Sequence, residues 1–494
     1  MHNADQCSGI PYIGRVHDIP FKHNWIKFKE WDDQYGPIYQ STLFGENHIW
    51  VMRESIAHEI LGKRGAIYSD RPGIPAVPGS KSEGEYLPLL GFNDAWKRQR
   101  KFGHTILQGN YHNSYHNLPA AESSRLLIKL LEEPLEYSHW LDQYTSRMIC
   151  RLAYGFPDHS VDLKKNAFDL LFGISPSGRL PNLLPHLMYL PKQLNPWKIA
   201  EQKRHDWEKE LYFGWRDQVK REMAEGTAKP SWMKTYYDAK EGSFGFGEHE
   251  AAYAVGMMAL AGVQTIGSPL NTFMFAMVQY PEWYEKLQNE IDSVCGSRPP
   301  SMADAPRLPT LRAILKEGLR WRPPVPTGIP HESVEDDVWN GYFIPKGSHV
   351  HPLEWAMSRD PEVYPDAEEY KPDRWLDPKY PTYKEPLSAY PTIMNHHQFG
   401  FGRRICQGME LVDAELMTAC GAIAWGLSLK KNDDLVPHPK GYTSLLITKP
   451  EPFGFELKPR SEQRAEQIYS MWRTAKKEDP QLVSKYDRRT AAWE

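Results

Sequence analysis

Cys406 stands in the run Phe399-Gly400-Phe401-Gly402-Arg403-Arg404-Ile405-Cys406-Gln407-Gly408. A glycine-rich turn that delivers one cysteine to the start of an apolar helix favours the thiolate, because the helix N-terminus carries partial positive charge and Arg404 adds a full one. A thiolate held in this way can ligate iron, and a cysteine-ligated haem pushes electron density toward O–O cleavage. Gly400, Gly402 and Gly408 would let the backbone lie against a flat macrocycle, with Phe399 packed beside the sulfur. The other four cysteines, Cys7, Cys150, Cys295 and Cys420, are scattered without a Cys-x-x-Cys pair. They indicate neither a disulfide framework nor a structural zinc site.

Other spacings also carry chemistry. Trp96 and Arg100 lie at i and i+4, and Glu317 and Arg320 at i and i+3, so each pair shares one helix face. In Ala261-Gly262-Val263-Gln264-Thr265 a glycine precedes a threonine whose hydroxyl can bond the preceding turn, which loosens a helix and opens a groove. Pro269, four residues after Thr265, lacks the N–H that would have bonded the Thr265 carbonyl. Gln264 cannot titrate, so a proton relay here must run through Thr265 and water. His396 and His397 are adjacent, and their side chains are expected to diverge and to shape the loop before Phe399 rather than bind a metal. No Gly-x-Ser-x-Gly elbow supports a hydrolase triad.

Several elements must position these residues. Residues 94–295 read as mainly helical, interrupted by the Pro/Gly/Leu-rich segment 174–198. The longest helix is expected over Glu248 to Gln279, about 48 Å from end to end. Alternating apolar stretches predict strands at Ile38–Thr42 and His48–Met52, and residues 70–92 form a long irregular loop. Short strands, turns and prolines fill 323–405; helix returns over 407–427, and strands follow in 440–458. The tail 461–494, with seven basic and six acidic residues, reads as a helical, solvated appendage. No repeat or linker divides the chain, so 1–460 reads as one mixed α+β catalytic domain and 461–494 as an extension.

Composition narrows the classes. The 494 residues carry 59 Lys+Arg against 63 Asp+Glu, a net charge of −4, with 40% apolar and 12% aromatic content. That excludes a disordered chain and leaves no electrostatic footprint for nucleic acid. No stretch of 18 or more apolar residues exists, and the N-terminus has no signal-peptide character, so the chain as given is expected to be soluble.

The pattern Phe-x-x-Gly-x-Arg-x-Cys-x-Gly is matched at all five fixed positions and is the signature of the cytochrome P-450 family, which this chain resembles from about residue 9 to about residue 458. The resemblance implies a mainly α fold with smaller β regions, a triangular helix-rich domain with a long central helix over the haem. It implies haem b with Cys406 as the axial thiolate and metal ligand, and Trp96, Arg100, Arg404 and His331 at the propionates. Glu317, Arg320 and Arg374 would form a buried triad that locks the haem-binding core. Ala261 to Thr265 would be the oxygen-binding kink, with two departures: Gln264 where Asp or Glu is usual, and Ile266 where a second Thr is common. Substrate would meet the loop Ile74 to Leu90, the stretch Leu180 to Leu184, Met258, Ala261 and Thr265 on the long helix, and Val325 to Ile329. These are apolar apart from Lys81, Glu83 and Glu85 at the loop tip, which implies a hydrophobic substrate of modest size such as a terpenoid or an aromatic polyketide.

The same resemblance, closest to filamentous-fungal members of biosynthetic pathways, implies a monooxygenase that uses dioxygen and two electrons from NADPH-cytochrome P-450 reductase, with cytochrome b5 as a second donor. Lys97, Arg98 and Lys101 would form a docking patch for the acidic reductase. Gly9-Ile10-Pro11-Tyr12-Ile13-Gly14 resembles the end of the proline-rich hinge that follows a membrane helix. The expectation is therefore a full-length form anchored on the cytosolic face of the endoplasmic reticulum, its anchor removed, with the 180–194 segment dipping into the bilayer. Two other outcomes stay open: oxidative coupling or desaturation on the same cofactor, and a haem-binding electron-transfer protein that would have no open distal pocket.

Overall fold

In the computed structural model, residues 2–3, 6–7, 9–112, 117–432 and 441–483 are described. Residue 440, the tail end 484–494 and the Cys7 side chain, all subjects of the expectations above, lie outside them. The chain enters through α1 (Asn24–Tyr35) and a hairpin of β1 (Ile38–Leu43) and β2 (Glu46–Val51). A helical series follows: α2 (Asp94–His112), α3 (Asn117–Glu132), α4 (Tyr137–Tyr154), α5 (Ser160–Ile174), α6 (Pro196–Ala224), α7 (Glu248–Gln279), α8 (Pro281–Cys295) and α9 (Pro309–Trp321). Strands β3 (His331–Glu332) and β4 (His349–Pro352), helix α10 (Met409–Gly426), strands β5 (Leu427–Lys431) and β6 (Phe455–Pro459) and helix α11 (Glu462–Glu478) complete it.

Helix α7 forms over the 32 residues that the sequence predicts, with Glu248 and Glu250 in its first turn to offset the helix dipole. It is long and apolar enough to cross a membrane, yet it packs inside the molecule against α4, α5, α9 and α10. Burial is nearly continuous from Ala251 to Val278 except around Met258 to Thr265, where most residues are half-buried.

A five-stranded sheet, ordered Gln6–Cys7, β1, β2, β4, β3, lies beside the helices. β1 and β2 pair antiparallel with Ile38 opposite Val51, and β2 and β4 pair parallel with His48 opposite His349. Their apolar face (Ile38, Ile49, Val51, Val350) closes on Phe401, so the sheet grips the loop that carries Cys406.

Three expectations are corrected. Residues 427–431 are strand β5, paired with β6, and of 440–458 only Phe455 onward is strand, preceded by a single bridge from Tyr442 to Pro450. The tail is helical at Glu462–Glu478 but is no solvated appendage. Ile468 and Leu482 are buried, Arg460 and Arg464 pair with Asp292 at 2.6 and 2.9 Å, and Asp479 pairs with Arg151. The rings of His396 and His397 do not diverge: their centroids are 4.2 Å apart, and His397 Nδ1 bonds the Glu354 carboxylate, which raises the His397 imidazole against its burial.

Candidate functional site

The Cys406 loop closes on itself. Cys406 N–H donates to the Phe399 carbonyl at 2.7 Å, and Gly408 N–H donates to Cys406 Sγ at 3.3 Å. Gly400 and Gly402 have φ of +81° and +55°, a region open to glycine at little cost. A Cβ on Gly402 would also sit 2.3 Å from the Leu61 carbonyl oxygen, so this glycine serves the contact with the helical turn His58–Lys63 rather than approach to a macrocycle. Gly408 acts through its N–H. Phe399 is half-buried and contributes its carbonyl to the loop.

Burial pushes the Cys406 thiol up and outweighs the Gly408 N–H and the Arg100 guanidinium that draw it down, so the polypeptide alone does not favour the thiolate as the glycine-rich turn suggests. The cation that acts on the sulfur is thus Arg100 and not, as the adjacency in sequence suggests, Arg404. Arg100, on α2, donates to the Ile405 carbonyl at 2.9 Å.

Beside this loop the structure gathers three cations that no carboxylate bonds directly; Asp70, whose charge reaches Arg71 and Arg404, is itself paired with Lys81 at 2.8 Å. Arg404 donates from Nε to the Ser69 carbonyl and from Nη2 to the Leu90 carbonyl, each at 2.8 Å, and its guanidinium lies 4.4 Å from the Trp96 ring. Arg100 lies 5.6 Å from the same ring. Arg71, which sequence reasoning missed, donates from Nη1 to the carbonyls of Ile329 and Pro330 at 3.0 and 2.5 Å, and its buried Nε has no partner. None of the three pairs with a carboxylate among the described residues. Burial, and for Arg71 the neighbouring Arg404 and Arg100, hold all three guanidiniums below their ordinary range. His331 donates from Nδ1 to the Tyr68 carbonyl at 2.6 Å, and burial with Arg71 nearby keeps it neutral.

Buried cations without anions are costly. A cradle of three such groups beside a cysteine loop fits a flat cofactor carrying two carboxylates, with Trp96 packed under the guanidiniums. The only local signal for Arg71 is its place in Asp70-Arg71-Pro72 at the start of the long loop.

On α7, Thr265 Oγ1 donates to the Ala261 carbonyl at 2.6 Å, the back-bond that its spacing predicts. Gly262 is explained differently: its missing Cβ would lie 2.8 Å from Ile149 Cδ1, so it lets α4 and α7 approach. Gln264 lines a surface pocket of about 340 Å³ between α4, α5 and residues 443–452, together with Asp142, Lys164 and Lys449. Burial pushes the Asp142 carboxyl up, but Lys449 at 2.7 Å and Lys164 at 3.1 Å outweigh it and bring it to about 2.

The Glu317 group is fully closed. Arg320 donates to both Glu317 oxygens at 2.7 and 2.8 Å, Arg374 Nε to one at 3.3 Å and Trp375 Nε1 to the other at 3.1 Å. The remaining Arg320 donors reach the Ser358, Ala367 and Glu369 carbonyls at 3.0, 2.8 and 3.0 Å.

The candidate substrate contacts divide. Leu90 is fully buried, and Met258 lies against α2, where a Cβ on Gly103 would be 3.1 Å from its sulfur. Val325 is half-buried and Ile329 is 37% exposed, its carbonyl used by Arg71. Two of the charges at the loop tip are engaged: Lys81 pairs with Asp70 and Glu332 at 2.8 and 3.0 Å, and Glu85 with two histidines. Within the basic patch Arg98 is consumed by Glu250 at 2.7 Å and Lys97 pairs with Asp94 at 2.9 Å, which leaves Lys101 exposed.

A family model described as Cytochrome P450 matches residues 6–457. Among curated relatives, the chain is similar to the cytochrome P450 monooxygenase virE of Hypocrea virens, 32% identical over 94% of this chain and 86% of that protein. It is likewise similar to the cytochrome P450 monooxygenase fogE of Aspergillus ruber, 31% identical over 94% and 88%. A zebra fish cytochrome P450 solved with abiraterone superposes with a TM-score of 0.71 at 22% identity, covering 88% of this chain and 100% of that one.

Proposed function

The chain belongs to the cytochrome P450 family, and from that premise we propose that it is a haem b monooxygenase that hydroxylates a hydrophobic small molecule of fungal secondary metabolism, a terpenoid or an aromatic polyketide. It is an oxidoreductase of the haem-thiolate class. The observation that supports the haem is the cradle of Arg71, Arg100 and Arg404 beside the Cys406 loop, and the oxygen chemistry is supported by the Thr265 back-bond on α7.

Bound haem supplies the reductive activation of dioxygen and the transfer of one oxygen atom. The protein does the rest. Cys406 Sγ, which accepts the Gly408 N–H, would ligate the haem iron. Arg71, Arg100 and Arg404 would hold the propionates, with neutral His331 and Trp96 beside them. Thr265 keeps its hydroxyl proton on the Ala261 carbonyl. Gln264 passes no proton by titrating, so supply falls to water in its pocket, where Lys164 and Lys449 flank Asp142.

Electrons come from NADPH-cytochrome P450 reductase, with cytochrome b5 as a second donor. Exposed Tyr12, Phe21, Tyr189, Leu190 and Leu194 support contact with the cytosolic face of the endoplasmic reticulum membrane. A Tyr12–His186 hydrogen bond of 2.8 Å joins the N-terminal segment to the 180–194 segment. Gln264 and the buried Ile266 favour a second reading, oxidative coupling or desaturation. Turnover under ¹⁸O₂ decides: label in the product supports hydroxylation, and label-free product with loss of hydrogen supports the second.

A further inference from the structure

The loop 70–92 is fastened at its base and, separately, at its far side. At the base the Asp70 carboxylate accepts the Phe92 N–H at 2.7 Å, and Arg404 holds the Leu90 carbonyl. Across the span, Ala76 N–H donates to Asn182 at 3.1 Å. At the far side the fastening is ionic. The Glu85 carboxylate, 8% exposed, meets His205 Nε2 of α6 at 2.7 Å with one oxygen and His249 Nε2 of α7 at 3.0 Å with the other. One side chain of the loop therefore bridges two helices that are distant in sequence. The Tyr253 ring of α7 stacks on His205, with its hydroxyl 3.1 Å from the same Nε2.

We propose that Glu85 is a positioning residue whose double imidazole clasp holds the 74–90 loop closed against α6 and α7, and that loss of the His205 proton releases the loop and speeds ligand exchange with the substrate site. This rests on the reading of that loop as a wall of the substrate site. The charges around the clasp favour it on balance near neutral pH, because Glu85 and Glu208 raise His205 while Arg204 lowers it. Besides Glu85, His205 faces Arg204, Glu208 and the Tyr253 hydroxyl; Arg204 is itself bound to Glu201 and Glu208 at 2.7 and 2.9 Å and to the Tyr86 hydroxyl at 2.6 Å, so this group sums to one negative charge. Arg98 of α2 is neutralised by Glu250, and Gln99 donates to the Gly84 carbonyl at 2.5 Å.

The hydrogen bond to Glu85 raises His205 above its ordinary value against partial burial. Burial pushes Glu85 up, but the bonds from His205 and His249 outweigh it and hold the carboxyl below its ordinary value. The sign follows. The clasp is intact between the depressed Glu85 value and the raised His205 value, complete below the ordinary imidazole pKa, and lost as pH rises through the raised one.

Hydrogen exchange of the haem-loaded protein tests this at about pH 6 and about pH 8.5, corrected for intrinsic rates. The expected result is ~fivefold faster exchange over 74–90 at the higher pH, the weight of a partly exposed ion pair. In Glu85→Gln and in His205→Gln the loop should exchange at the fast rate at both pH values. Binding of imidazole, followed by the Soret band, should accelerate in parallel. Equal wild-type exchange at both pH values, or a Glu85→Gln loop as protected as wild type, overturns the clasp. Failure of the functional reading shows separately, as absence of a thiolate-type carbon monoxide spectrum in the same wild-type sample.

Discussion

Two buried arginine clusters, one around Glu317 and one around Trp96, differ in one respect. Around Glu317, the guanidiniums of Arg320 and Arg374 share a carboxylate, and their spare donors end on carbonyls. Around Trp96, Arg71, Arg100 and Arg404 bond only carbonyls, and Arg71 Nε is left with no partner. Both are desolvated, so composition and burial do not tell them apart. The bonded counter-charge does: the first cluster shares a carboxylate of the polypeptide, and the second bonds none, which is what the proposed site for a dianionic cofactor requires. An arginine that is structural and one that holds a cofactor are separated by what neutralises them.

Substitutions can break or sharpen that contrast. Glu317→Gln strands two buried cations and should lower the urea-unfolding free energy of the ligand-free chain by about 3–5 kcal/mol. Arg71→Leu removes a cation that has no anion, and the same unfolding experiment should give an unchanged or higher stability. A loss as large as that of Glu317→Gln would put Arg71 in the structural class and erase the distinction. Arg403→Ala, in the same signature but exposed beside Phe92, should move both stability and haem retention by less than about 0.5 kcal/mol.

The parts of this site legible in the sequence are those set by local spacing. Trp96 and Arg100 on one face of α2, Glu317 and Arg320 on one face of α9, and the Thr265 back-bond to Ala261 need only 3.6 residues per turn. The long helix is readable from its length and its apolar middle, Ala254 to Ala261. What escaped depends on distant chain. Arg71 gains its role from an irregular loop brought beside Arg404, more than 300 positions later, and no periodicity reports that. Gly262 reads as loosening its helix and Gly402 as admitting a flat macrocycle, but each makes room for a neighbour, Ile149 or the Leu61 carbonyl. The tail read as solvated because its charges balance internally. In the fold Arg460, Arg464 and Asp479 find Asp292 and Arg151 instead. Strand β5 continues an apolar run directly from α10, so the boundary left no local mark.

The most direct measurement is the rate at which haem leaves the protein, followed by transfer to excess apomyoglobin, in wild type and in Arg71→Leu. If the unpaired cradle holds the propionates, haem loss should be about 10- to 100-fold faster in the variant, the weight of one charge-assisted hydrogen-bonding group. Equal rates would contradict it and leave Arg71 a buried cation without a purpose.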